Sequence, residues 1–271
     1  MEHLIYSRIY PVLGILILVE ALLLMRSGKY RHSWQESVAS LGVFIGQHLT
    51  NMVMKVVLAG IFIVIWEHRL WTVPLNTWWG LPLLFFGIEF FYYWHHRCAH
   101  RVRWLWATHA VHHSTKHFNL SAAYRLGWTG VISGNFLFFL PLIWLGFHPI
   151  AVTTGLAFNL VYQFWIHTEI VPKLGFLEWV LNTPSHHRVH HASNPEYIDR
   201  NYGGVLILFD RLFGTFTEEQ AAHKPIYGLT HSLHTYNPLK IAFHAWISLF
   251  QDLWNARTWK GRLDTIFGAP K

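Results

Sequence analysis

His95-His96-Arg97-Cys98-Ala99-His100 opens the stretch whose reading decides the fold. His109-Ala110-Val111-His112-His113 follows it, and His186-His187-Arg188-Val189-His190-His191 closes the series after a long apolar interval. The spacing is helical. His96 and His100 stand at i, i+4; His109, His112 and His113 stand at i, i+3, i+4; His187, His190 and His191 repeat that pattern. Residues three and four apart share a helix face, so each box is expected to aim two or three imidazoles at one point. A single helical histidine is usually a core or surface residue. Three boxes at this spacing sacrifice helix propensity, and metal binding is the reason that fits.

Composition sets the surroundings. The 271 residues are 52% hydrophobic and 17% aromatic but only 13% charged, too apolar for an ordinary soluble domain. The formal net charge is +7. The basic residues are scattered between apolar runs, which reads as cytoplasmic loop charge and not as a nucleic-acid site. Cys98 is the one cysteine, so an intrachain disulfide is excluded. It lies off the His96–His100 face and reads as a space-filler.

Taken in order, residues 9–25 are almost wholly apolar, with Glu20 the only charge. With no basic cluster before the run and no small-residue cleavage site after it, it reads as a retained transmembrane helix. Arg26, Lys29 and Arg31 follow. A second run, 38–66, carries a stripe of His48, Asn51 and Lys55. Charge at that depth faces a bundle interior, with Glu20 or Glu89 as the candidate partner for Lys55. A tryptophan-rich interfacial stretch leads to a third run, 78–94, which enters the first box. Residues 131–147 and 150–166 flank a tight Gly146-Phe147-His148-Pro149 turn and are expected to form a short hairpin. Residues 205–216 read as a short amphipathic element on the site. Residues 238–259 read as an in-plane interfacial helix or as ordinary core packing.

The expected fold is an all-α integral membrane protein. It has about four to five transmembrane or hairpin helices and a histidine-rich helical cap. The basic residues concentrate on the side that holds the boxes, so the cap is expected in the cytoplasm. The expected divisions are N-terminal transmembrane helices over 1–80, a catalytic domain over 81–235 and a C-terminal interfacial helix over 236–271.

All-histidine ligation suits zinc, iron, copper or nickel. His96, His100, His109, His112, His113, His187, His190 and His191 exceed the need of one ion and suit two with open positions. Two irons would act on O2. Two zincs doing hydrolysis usually recruit carboxylate bridges, and no Asp or Glu lies inside a box. Metal transport is a third option, but transport sites lie near the midplane of broken helices and these boxes fall at helix ends. Glu89, seven residues before His96, reads either as a carboxylate orienting a ligand imidazole or as the partner of Lys55. Asp199 and Tyr197, after the third box, are candidates for the orienting role. His186 lies off the ligand face of its box.

Tyr92-Tyr93-Trp94-His95-His96-Arg97-Cys98-Ala99-His100 resembles the first box of the fatty acid hydroxylase and sterol desaturase superfamily. The two His-x-x-His-His boxes match as well. Residues 162–168, 182–191, 201–204, 213–216 and 225–231 resemble the alkylglycerol monooxygenase-like branch. The resemblance covers roughly residues 80 to 235. It implies a nonhaem di-iron, O2-dependent oxidation of a lipid C–H bond at the membrane surface. It adds His167 to the ligand set. The branch implies cleavage of an ether lipid with tetrahydrobiopterin as electron donor; sterol or fatty acyl hydroxylation or desaturation is the neighbouring activity. Gln163 stands where some relatives have a histidine, and the chain looks shorter than the animal ether-lipid enzymes.

Overall fold

The computed structural model describes residues 2–28 and 33–270; the basic residues Lys29 and Arg31 lie outside them. Among the described residues the chain is helical, with two isolated β-bridges and no strand. Helices α1 (Glu2–Ser27) and α2 (Trp34–Glu67) are the two described helices long and apolar enough to cross a membrane. They are not core helices of a soluble protein, because their apolar side chains point outward: Leu18 is 54% exposed and Val56 79%. Ser33 starts α2 by accepting a hydrogen bond from the Glu36 N–H.

Glu20 is buried in α1 and ties that helix to the rest of the chain. Its carboxylate accepts from the Leu120 N–H at 2.6 Å and from the Thr168 hydroxyl. The Glu89 carboxylate is likewise engaged, by Asn159 and by the amides of Val205 and Leu206. Both acidic groups that the sequence offers to Lys55 thus anchor loops next to the histidines.

Helix α3 (Gly80–Arg101) carries the third apolar run into the first box without a break. A single residue, Val102, separates it from α4 (Arg103–His113). The run 131–147 is not one helix. A left-handed turn at Gly134 leads to a 3-10 turn (Asn135–Phe139) and then to α5 (Leu140–Leu145), with Pro141 in its first turn. Gly146 ends α5 at φ 115°, and a Cβ there would lie 2.3 Å from the Trp71 carbonyl, so only glycine fits. His148 caps α6 (Pro149–Trp165). Helices α3, α5 and α6 share a core of Leu84, Ile88, Leu142, Ile143 and Val152. The hairpin is therefore short because proline and glycine interrupt its first limb.

Helices α7 (Pro184–His190) and α8 (Leu208–Leu212) are single short pieces. Residues 236–270 form two helices where one was expected: α9 (Pro238–Asn255) and α10 (Trp259–Phe267). Of the aromatic series on α9 only Trp246 is buried; Phe250 is 53% exposed and Trp254 88%. The inner face packs Ile241, Trp246 and Leu249 against α4 and α2. Helix α9 thus has a core face and an exposed apolar face, and its core face buttresses the helix that carries the second box.

Candidate metal centre

Four elements bring nine histidines together. The last turns of α3 present His96 and His100, and α4 presents His109, His112 and His113. His167 follows the end of α6. Helix α7 and its C-terminal cap present His187, His190 and His191. The nine fall into two groups, His96, His100, His109, His113 and His190 in one and His112, His167, His187 and His191 in the other. Within each group the ligand atoms lie within 4.8 Å of one another.

The boxes do not each aim at one point. In both His-x-x-His-His boxes the i and i+4 histidines join one group and the i+3 histidine crosses to the other. At 3.6 residues per turn, i and i+4 are about 40° apart around the helix, while i+3 lies about 60° to the opposite side of i. That offset suits two neighbouring centres. Helix α4 gives two side chains to the first group and α7 gives two to the second, so the boxes stand in reciprocal roles.

Ring orientation is set by the second nitrogen. His96 Nδ1 donates to the Tyr202 carbonyl at 2.8 Å, His190 Nδ1 to that of Arg200 at 2.9 Å, and His167 Nδ1 to that of Gln163 at 2.7 Å. His112 Nδ1 donates to the Arg125 carbonyl at 3.3 Å. A neutral imidazole that donates from Nδ1 keeps a bare lone pair on Nε2. Two of those lone pairs meet, since Nε2 of His167 is 3.1 Å from Nε2 of His112; Nε2 of His96 also lies 3.0 Å from that of His109. His187 and His167 approach to 2.9 Å. Lone pairs facing each other repel unless a cation lies between them. Two nitrogens each about 2.1 Å from one ion are brought to about this separation. Nε2 of His100 and of His190 are buried with no hydrogen-bond partner among the described residues. The donor set therefore fits a metal ion in each group.

Electrostatics keeps the rings ready. Burial, reinforced by neighbouring histidines, holds His109, His112, His113, His187, His190 and His191 well below the ordinary histidine range. Burial pushes His167 down to about 4. All are neutral near pH 7 and able to donate lone pairs.

The other sequence candidates separate. Asp199 Oδ1 faces His100 Nδ1 at 3.6 Å while its second oxygen binds Arg101 at 2.8 Å. Glu89 accepts from Asn159, Val205 and Leu206; Asn159 in turn accepts from Gln163, whose side chain also accepts from the Tyr92 hydroxyl. Glu89 thus anchors the loop beyond Tyr202. The Gln163 side chain belongs to this network, and its carbonyl orients His167. Tyr197 donates to the His223 carbonyl and packs against Val189 and Ala192 beside the third box. His186 is buried against Phe216 and 3.8 Å from Glu178, outside both groups.

Residues 81–215 match the fatty acid hydroxylase family. The chain belongs to the fatty acid hydroxylase family. All nine grouped histidines lie inside the matched segment. The chain is similar to alkylglycerol monooxygenases from Homo sapiens (40% identical, covering 90% of this chain and 54% of that protein) and Danio rerio (42%, 86% and 52%). The Xenopus tropicalis alkylglycerol monooxygenase is 39% identical over 87% of this chain and 52% of its own length. The chain therefore spans about half the length of the curated relatives it matches. No solved structure matches.

Within this member of the family, several groups escaped the reading of motifs. The carbonyls of Tyr202, Arg200, Arg125 and Gln163 orient rings, and backbone oxygen has no sequence signature. Phe118 is fully buried between Tyr227, which it stacks upon at 4.9 Å, and the rings of His167 and His191. Its own spacing from the boxes held no periodic signal.

Proposed function

We propose that the chain is an integral-membrane, O2-dependent lipid oxygenase that holds two iron ions on the nine grouped histidines and cleaves ether lipids of the alkylglycerol type. The observation that supports the metal part is the approach of Nε2 atoms to 2.9 to 3.1 Å among seven of the nine rings, with the Nδ1 atoms of His96, His112 and His167 tied to carbonyls. The family match and the similarity to alkylglycerol monooxygenases support the reaction class. When bound, iron supplies the redox chemistry on O2 that no side chain can perform.

The chain's own residues bind, orient and shield. Phe118 and Tyr227 cover the second group, whose four histidines are all buried. The first group has its half-buried member at His109, beside the half-buried Trp106, which makes that edge the approach for substrate. A lipid lying in the bilayer brings the carbon next to its head group nearest this edge. In a glyceryl ether that C–H bond is weakened by the adjacent oxygen. One oxygen atom of O2 inserted there gives a hemiacetal, which splits into a glycerol and a fatty aldehyde. The other atom leaves as water, taking two electrons and two protons from the reductant, for which we propose tetrahydrobiopterin.

The histidine-bearing cap is proposed to face the cytoplasm, where the basic loops concentrate. Exposed Trp254, Trp259 and Phe267 on α9 and α10 support an interfacial seat for this part of the chain. The test is aldehyde release from an alkylglycerol by membranes containing the protein, with iron, O2 and tetrahydrobiopterin supplied. Hydroxylated or desaturated acyl or sterol products without aldehyde would replace the ether-lipid reading. Metal movement across the membrane without oxygen consumption would replace the enzyme reading.

A further inference from the structure

Three of the five histidines in the first group are oriented by one four-residue segment. The Asp199 carboxylate faces His100, the Arg200 carbonyl accepts from His190, and the Tyr202 carbonyl accepts from His96. Asn201 sits between the two carbonyls. It is fully buried and holds a left-handed backbone at φ 56°, with Asp199 left-handed as well at φ 62°. These are the two described non-glycine residues with positive φ. Such conformations are rare outside glycine and cluster where surrounding structure imposes them.

The surroundings that impose it are visible. Asn201 Nδ2 donates to the His186 carbonyl at 3.1 Å and to the Thr217 carbonyl at 2.7 Å, and its Oδ1 accepts from the Thr217 N–H at 2.8 Å. Its own N–H donates to the Thr215 carbonyl. One side chain thus clamps the third box to the segment after Gly214. Beyond it, the Asp210 carboxylate accepts from the N–H groups of Tyr202 and Gly203 at 2.8 and 2.7 Å. An extended residue at position 201 would point its two flanking carbonyls to opposite sides. The left-handed turn lets both reach rings of the same group.

We infer that Asn201 is a positioning residue for the first metal group: its left-handed backbone aims the carbonyls of Arg200 and Tyr202 at His190 and His96, and its amide locks that turn onto the third box. The second group depends on it less: its His112 and His167 are oriented by Arg125 and Gln163, although its His187 and His191 stand on, or at the end of, the helix that the Asn201 amide clamps. The inference rests on the metal reading above and adds a dependence that the first site has more strongly than the second.

The experiment is anaerobic titration of purified full-length protein with ferrous ion, counting ions per chain and their affinities, for wild type, Asn201→Gly and Asn201→Ala. Loss of an orienting partner typically weakens a metal site about 10- to 100-fold. We expect Asn201→Ala to weaken one site by about that factor and the other by clearly less. Asn201→Gly, which adopts the left-handed turn freely, should weaken it less. The far-ultraviolet helical signal should be the same in all three. Wild-type affinity at both sites in Asn201→Ala, or equal weakening of both sites in both variants, would overturn the inference. A wild type that holds fewer than two ions would instead overturn the two-metal reading itself.

Discussion

His113 and His191 stack face to face, with ring centroids 4.4 Å apart and planes 22° from parallel, although each belongs to a different histidine group. The pair is the shared wall of the two groups. Replacing either ring by phenylalanine keeps the wall and removes one donor. We predict that His191→Phe weakens iron in the second group and leaves the first, and that His113→Phe does the reverse. Each loss should exceed the roughly 10- to 100-fold typical of outer partners. Ferrous titration reads both, and activity should vanish in either variant.

Arg125 is the largest fully buried side chain among the described residues, and its guanidinium bonds Glu36, Ser40 and Ser114 while its carbonyl holds His112. Removing one member of a buried ion pair costs about 3 to 5 kcal/mol, because the other charge is left uncompensated. Glu36→Ala should destabilise the protein by that order in a denaturant unfolding curve. Glu36→Ala combined with Arg125→Met should recover part of the loss.

Glu89 tests anchoring against direct chemistry. Its oxygens serve Asn159 and two loop amides, not a ring. Glu89→Gln replaces an acceptor by a donor facing N–H groups and should cost about 1 to 3 kcal/mol of stability. Both ions should remain at wild-type affinity. Loss of an ion without loss of stability would mean that the carboxylate acts at the metals.

The metal-free protein should be acid-sensitive. An unfolded histidine titrates near about 6.5, whereas His167 is held at about 4 and the other grouped rings of α4 and α7 lie well below their usual value. Between those values the unfolded chain binds more protons than the folded one. Stability is therefore fully present above about pH 6.5 and falls as pH drops below it. Melting temperature of the iron-free protein should decline from pH 6.5 to 5, and iron should delay the decline. A flat profile over that range would contradict the neutral, buried state of the rings.

Topology has a direct readout. Reporter fusions placed at Arg103 and after residue 270 should both report the cytoplasm, since basic loop residues concentrate on that side. An external result for Arg103 would reverse the proposed orientation of the histidine cap.

The sequence alone marked the box histidines that the structure gathers into two groups, and it carried the helical spacing of the boxes. The i, i+3 and i, i+4 spacings are local, so the backbone turn converts them into shared faces whatever the rest of the chain does. The exposed apolar faces of α1 and α2 were legible for the same reason, since run length and composition carry them. The partition into two groups was not legible. It depends on where α3, α4, α6 and α7 meet, and the i+3 histidine of each box finds its group only once a neighbouring helix supplies the other donors. The two faces of α9 belong to the same category. So do the carbonyls of Arg200 and Tyr202 and the left-handed Asn201 between them. These are contacts between residues far apart in the chain, and packing of the assembled helices decides them, not the propensity of any one segment.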